Sequence, residues 1–188
     1  MKDVAKFIFE VGTLKRIKRT WFKNEGVPEP ESVADHSHRT VILGYILAKL
    51  EGADADKVVK MCAFHETAEA RIGDLDKIAQ RYINKDAAEM QAIEDQMKHL
   101  PESIRDEMLP LMKEFAERKT KEAIIARDTD VLELIFQAKE YADAGHHGCL
   151  YWIERNGQFL KTESAKKLFE ELKNMNPTEW WKGLENLR

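Results

Sequence analysis

His36, the adjacent pair His65-Glu66 and Asp130 are the residues of this chain whose types allow chemistry in common. Two imidazoles and two carboxylates, carried on three separate helical patterns, can converge on one divalent cation and leave coordination positions open. An open position separates a catalytic metal site from a structural one, because water or a substrate oxygen has to fill it. Glu69 follows the pair by three residues, and Gly73-Asp74 comes behind it. Taken singly these residues are ordinary. A His-Glu pair is more often a solvated helix face, and a lone His more often a hydrogen-bonded core or cap residue. Their company is what gives them weight.

On a regular helix His65 and Glu69 stand one turn apart on one face, with Glu66 rotated by about 100°. An ion lying between the side-chain directions of His65 and Glu66 can still take both, leaving Glu69 to reach a water. His36 falls in the first turn of a very apolar helix, where a polar ring needs a buried partner. His38, two positions on, points to a different face, so His36 is preferred. Asp128 and Asp130 both interrupt a long helical pattern, and Asp is a poor interior helix former. Spacing alone leaves the choice between these two open.

The elements that must position these groups read as helices nearly throughout. Val4, Phe7, Ile8, Val11 and Leu14 form one apolar stripe. A loop is expected from Asn24 to Glu31, marked by Gly26, Pro28 and Pro30. Ser32 is the expected N-cap of the next helix, with Asp35 completing a capping box. That helix is apolar on most faces, which predicts a central place, and it stops near Gly52. Asp54 or Asp56 caps a third helix running through Met61, Phe64 and Ala68 towards Gly73. Helices are then expected from Asp86 to His99, from Pro101 onward, and from Lys119 to Ala144 with Gly145 ending the last. Shorter patterns cover Ser164–Asn174 and Pro177–Leu187. No period-two alternation argues for a sheet, so the expectation is one all-α domain over residues 1–188.

Composition narrows the function classes. With 34% charged and 43% hydrophobic residues the chain reads as a soluble globular protein. A net charge of −4 argues against a general nucleic-acid binder, while a basic pocket for one phosphate remains compatible with it. Cys62 and Cys149 form no CxxC motif or disulfide framework. The amino terminus mixes charges into its apolar residues, unlike a secretory signal, and no run is long enough for a membrane span. A cytoplasmic protein is expected. Trp180-Trp181 and Tyr151-Trp152 read as core or dimer packing, and His146-His147 as cap or surface.

The order His, then His-acidic, then Asp, with Glu and Gly-Asp behind the pair, resembles the HD-domain superfamily of metal-dependent phosphohydrolases. Further segments are similar to its 5′-deoxynucleotidase branch: residues 14–20 (LKRIKRT), 30–36 (PESVADH) and 137–141 (QAKEY). The motifs span residues 14–141, with a helical extension over 147–188. The resemblance implies an all-helical HD bundle in which His36, His65, Glu66 and Asp130 ligate one divalent transition metal (Mn, Co, Fe, Ni or Zn). The register of the 137–141 motif selects Asp130 over Asp128. Glu69 and Asp74 match the family's catalytic acids, Arg19 its phosphate-binding arginine, and Trp21 lies near its sugar pocket. It also implies a homodimer acting on nucleoside 5′-monophosphates. Phosphodiester or alarmone pyrophosphate hydrolysis is the alternative reaction, and a non-catalytic nucleotide-binding scaffold the alternative class.

Two departures from the family stand out. Its signature pair is His-Asp, whereas this chain has His65-Glu66, whose extra methylene carries the carboxylate about 1 Å further unless the backbone shifts or the side chain folds back. The chain also lacks a glycine before Trp21 that many relatives carry.

Overall fold

A computed structural model describes residues 1–184. The described residues are mostly helical: α1 (Lys2–Val11), α2 (Thr20–Asn24), α3 (Val33–Glu51), α4 (Ala55–Phe64), α5 (Glu69–Ile72), α6 (Lys85–Met97), α7 (Glu102–Glu117), α8 (Lys121–Asp143), α9 (Cys149–Gly157) and α10 (Glu163–Asn174). Among the described residues there is no strand ladder, only an isolated antiparallel bridge between Lys18 and Ser32. The all-α expectation holds.

The signals that start and stop the helices work as the sequence predicts. Ser32 Oγ accepts the Asp35 amide, and the Asp35 carboxylate takes the Ser32 amide in return, giving α3 a full capping box. Such a cap contributes about 1 kcal/mol. Asp54, rather than Asp56, caps α4 through the Lys57 amide. The chain leaves α8 at Gly145, whose φ of 108° suits glycine.

The core lies between α3, α4 and α8. Leu47, Val58, Met61, Ile125, Leu132 and Ile135 are completely buried there. Gly44 makes the close approach of α3 and α4 possible, since a Cβ at this position would stand 2.8 Å from Cys62 Sγ. α8 is the enclosed helix, buried along most of its length. α3 departs from the expectation: its inner face packs as predicted, but Ile42, Tyr45, Ile46 and Leu50 form an outward stripe 47–68% exposed.

Other departures are local. Thr20–Asn24, a stretch given no element from the sequence, is a short helix ahead of the expected loop, because Asp74 supplies its N-terminal acceptor from outside, taking the Thr20 amide and hydroxyl. Cys149–Gly157 forms α9, which the sequence reading passed over. The helical pattern expected over Pro177–Leu187 is only a 3-10 turn at Glu179–Trp181, and its end lies outside the described residues. Trp180 is 76% exposed, so it does not enter the core.

Candidate active site

The largest correction falls at the site itself. The helix expected to run through His65 to Gly73 breaks after Phe64 and resumes at Glu69. Side chains compete for the carbonyls that a continuous α-helix would use: His65 Nδ1 donates to Cys62 O at 2.7 Å and Thr67 Oγ1 to Phe64 O at 2.8 Å. The backbone closes instead with i→i+3 bonds from Thr67, Glu69, Ala70 and Arg71. With three residues per turn, positions i and i+3 eclipse. Glu66 and Glu69 therefore share a face, where a regular helix would have paired His65 with Glu69. Gln96 holds the turn from outside through Thr67 O.

The turn, α3 and α8 bring the four predicted ligands together. His36, His65, Glu66 and Asp130 are all buried, and one donor atom from each lies within 4.8 Å of the others. His36 Nε2 stands 3.4 Å from His65 Nε2, 3.5 Å from Glu66 Oε1 and 3.3 Å from Asp130 Oδ1. His65 Nε2 is 3.5 Å from the same Glu66 oxygen and 3.9 Å from Asp130. Donors about 2.0–2.1 Å from one ion stand roughly 3 Å apart, so this cage is the right size for a divalent cation. The second nitrogen of each ring is already held, His65 Nδ1 by Cys62 O and His36 Nδ1 by the Glu133 carboxylate. That orients both rings with Nε2 toward the cage, the usual outer arrangement of ligating histidines, and a bound metal would displace the proton that the carboxylates hold on His36. His38 is exposed and takes no part. Asp128 is used elsewhere, accepting the amides of Lys161 and Thr162 and anchoring the start of α10.

Electrostatics fit the same picture. Burial and Arg19 oppose a proton on His36, but Glu133 and Asp130 outweigh them and hold its pKa well above the ordinary value. Burial pulls His65 the other way. Burial, then Glu66 and Asp74, push the Glu69 carboxyl well up. Glu69 is fully buried, its Oε1 is 3.3 Å from Lys85 Nζ, and its Oε2 has no partner.

Arg19 reaches the site from an extended segment. Its amide bonds to Glu31 O, and the Val33 amide to Ile17 O, pinning residues 17–19 alongside the start of α3. Its guanidinium is buried 3.4 Å from Glu66 and 3.5 Å from Asp74, and burial is outweighed by the surrounding carboxylates, so it stays charged. Arg19 Nε is left without an acceptor. Asp74, aimed by the positive φ of Gly73, ties Arg19 to Thr20. Of these groups Arg19, Glu66, Asp74, Lys85 and Asp130 line a cavity of about 380 Å³. Trp21 lies in its wall, edge-to-face with Trp152 at 4.3 Å. Trp152, which the sequence reading assigned to core or dimer packing, is thus a cavity wall residue.

Sequence reasoning missed Glu133, Lys85, Lys77 and Arg127. Lys85 had a legible signal: a cation in the first turn of α6 opposes the helix dipole and asks for a reason. Glu133 had none, since one acid among several in a long helix is unremarkable.

The cage of two histidines and two carboxylates, set on two helices and a turn of an all-α bundle, points to the family. This chain is an HD-domain protein. The HD-domain family matches residues 11–173. The 5′-deoxynucleotidase HDDC2 of Dictyostelium discoideum is 35% identical over 156 residues, covering 78% of this chain and 81% of that protein. The human 5′-deoxynucleotidase HDDC2 is 32% identical, covering 77% and 71%. Among solved structures, a conserved hypothetical protein from Pyrococcus furiosus superposes with a TM-score of 0.77 at 33% identity, over 91% of this chain and 99% of that one. Among the described residues, no helix of this HD-domain chain is long and apolar enough to cross a membrane.

Proposed function

We propose that this HD-domain protein is a metal-dependent phosphomonoesterase that removes the 5′-phosphate of deoxyribonucleoside 5′-monophosphates. One observation carries the reading: a cluster of four metal donors and an arginine with a free Nε adjoin one cavity, which Arg19, Glu66 and Asp130 line. The two relatives named 5′-deoxynucleotidase support the choice of substrate.

In this reading His36, His65, Glu66 and Asp130 hold one divalent cation. The mixed nitrogen and oxygen donors suit Mn, Co, Fe, Ni or Zn, and metal content with activity in each separates these. The cation, when bound, neutralises a phosphate oxygen and lowers the pKa of a water. Arg19 receives the phosphate through its planar fork, with Nε and Nη2 facing two oxygens as Lys could not. Glu69, raised in pKa and carrying a free Oε2, takes the proton of the attacking water. Asp74 keeps Arg19 and Thr20 in place at the phosphate. Trp21 and Trp152 close the wall beside the sugar.

The outward stripe of α3 supports a homodimer. Ile42, Tyr45, Ile46 and Leu50, at i, i+3, i+4 and i+8, form a helical stripe that a second copy can cover. Ile46→Asp should yield a monomer by light scattering; an unchanged mass would remove α3 from the interface.

Phosphate release from deoxy- and ribonucleoside 5′-monophosphates, by protein stripped of metal and reloaded with each ion, tests the assignment. Metal-dependent release that is faster on deoxynucleotides is expected. No release with any ion from folded protein would overturn it.

A further inference from the structure

The cavity carries more positive charge than one phosphate needs. Seven cationic side chains and four carboxylates line it. Arg19 and Lys85 belong to the inner end, against Glu66, Asp74 and Glu69. Five cations remain outside that group: Lys77, Arg118, Arg127, Arg155 and Lys161. Arg127 is paired with Asp130. Lys77 donates to the neutral Gln80 amide, and Arg155 to the Tyr151 hydroxyl. Arg118 has only an exposed contact with Asp86 at 4.0 Å. A nucleoside's sugar and base are neutral, so once the 5′-phosphate sits at the inner end the rest of a nucleoside monophosphate offers these cations no counter-charge, and only Arg127 has a close carboxylate of its own.

Two further observations single out the wall formed by Lys77, Arg118 and Arg127. Lys77, Arg118 and Arg127 line the same cavity, and burial, then the charges of Arg127 and Lys85, lower the Lys77 pKa, with Asp130 opposing and Arg118 adding to the effect. Arg118 ends α7 at φ 56°, ψ 36°, and no other non-glycine among the described residues has positive φ. Glycine is the residue that fits such a helix end without strain. An arginine held there, at a cavity wall, spends backbone energy to place a guanidinium among like charges.

We propose that the cavity takes a nucleotide with a second phosphate group, its 5′-phosphate at the metal cage and the second among Lys77, Arg118 and Arg127. The inference rests on the 5′-phosphohydrolase reading of the inner end. At about 380 Å³ the cavity is near the small end of ligand sites, which favours a nucleoside 3′,5′-bisphosphate over a dinucleotide. Hydrolysis there would transfer the 5′-phosphoryl group to water, leaving the 3′-phosphate on the nucleoside.

Calorimetric titration of metal-loaded protein, with Glu69→Gln to slow turnover, compares 2′-deoxyadenosine 5′-monophosphate with the matching 3′,5′-bisphosphate. The bisphosphate is expected to bind at least about tenfold tighter and with a steeper loss on adding salt, since charge-assisted hydrogen bonds carry that much. In the Lys77→Gln, Arg118→Gly double variant the advantage should shrink to about twofold or less. Arg118→Gly should not lower the melting temperature, because it relieves the positive φ. Equal affinity for the two nucleotides, or an advantage that survives in the double variant, overturns the proposal. Phosphate release by the unsubstituted enzyme is scored separately. Tight bisphosphate binding with no release from any nucleotide overturns the phosphohydrolase reading alone, and no heat with either nucleotide overturns both.

Discussion

At the inner end of the cavity charges are answered from within the protein. His36 leans on Glu133, Glu133 on Arg39, Arg19 on Glu66 and Asp74, and Lys85 on Glu69 and Glu89. At the outer end Lys77 and Arg155 rest on a neutral amide and a phenol, and Arg118 on an exposed carboxylate. The metal donors, Glu133, Arg19 and Asp74 are buried, while Lys77, Arg118 and Arg155 are exposed on a loop and at helix ends. The difference assigns different work to the two ends. A buried, internally balanced cluster keeps its geometry whether or not a ligand is present, as a reacting centre must. A surplus of exposed like charge is satisfied only by what enters, so it selects ligands.

That contrast breaks first if the inner cage proves dispensable. His65→Ala removes a donor with no neighbour able to replace it. Metal content by elemental analysis should fall well below one ion per chain, and phosphate release by about a thousandfold or more. Retention of both would mean the cage holds no catalytic ion. Glu69→Gln is milder and more discriminating: metal content should persist while turnover drops about a hundredfold, since only the proton acceptor is lost. Unchanged turnover would take Glu69 out of the chemistry.

Glu66→Asp sharpens the comparison from within the inner end. The tightened turn fixes the backbone of Glu66, and its longer side chain is what carries Oε1 to 3.5 Å from both imidazoles. Shortening it withdraws the carboxylate by about 1 Å from the ion and from Arg19. Metal affinity, measured by competition with a chelating dye, is expected to weaken about tenfold, although Asp is the residue of the family signature. Equal or tighter binding would show that the turn relaxes to suit either acid.

The sequence made much of the inner end readable because long helices obey local rules. The capping box at Ser32 and the ending at Gly145 set α3 and α8, and those two helices carry His36 and Asp130. The path from His65 to Glu69 was not readable, because its winding is decided by competition for the Cys62 and Phe64 carbonyls, a tertiary matter settled partly by Gln96. Nor was α2, whose cap arrives from Asp74, more than fifty residues away along the chain. The outer end was invisible for a different reason. Its cations come from the loop after Asp74, the end of α7, α8, α9 and the loop after it, and no spacing rule connects them.

The smallest effect expected lies behind the cage. Glu31 faces Glu133 and His36, its Oε1 has no partner, and its carboxyl is raised to about 7, chiefly by burial and then by the Glu133 charge. An acid raised in the folded state stabilises the fold below its unfolded pKa, near 4.5, and that stability is lost as pH climbs through 7. Glu31→Gln removes the titration while keeping a side chain of similar shape. In chelator-treated protein the two forms should melt alike at pH 4, below both the unfolded and the folded pKa. At pH 8 the Gln form should be more stable by about 1–2 kcal/mol, or a few degrees in Tm for a chain of this size. Parallel melting curves from pH 4 to pH 8 would mean that Glu31 ionises freely, and that the balance of charge at the inner end stops at Glu133.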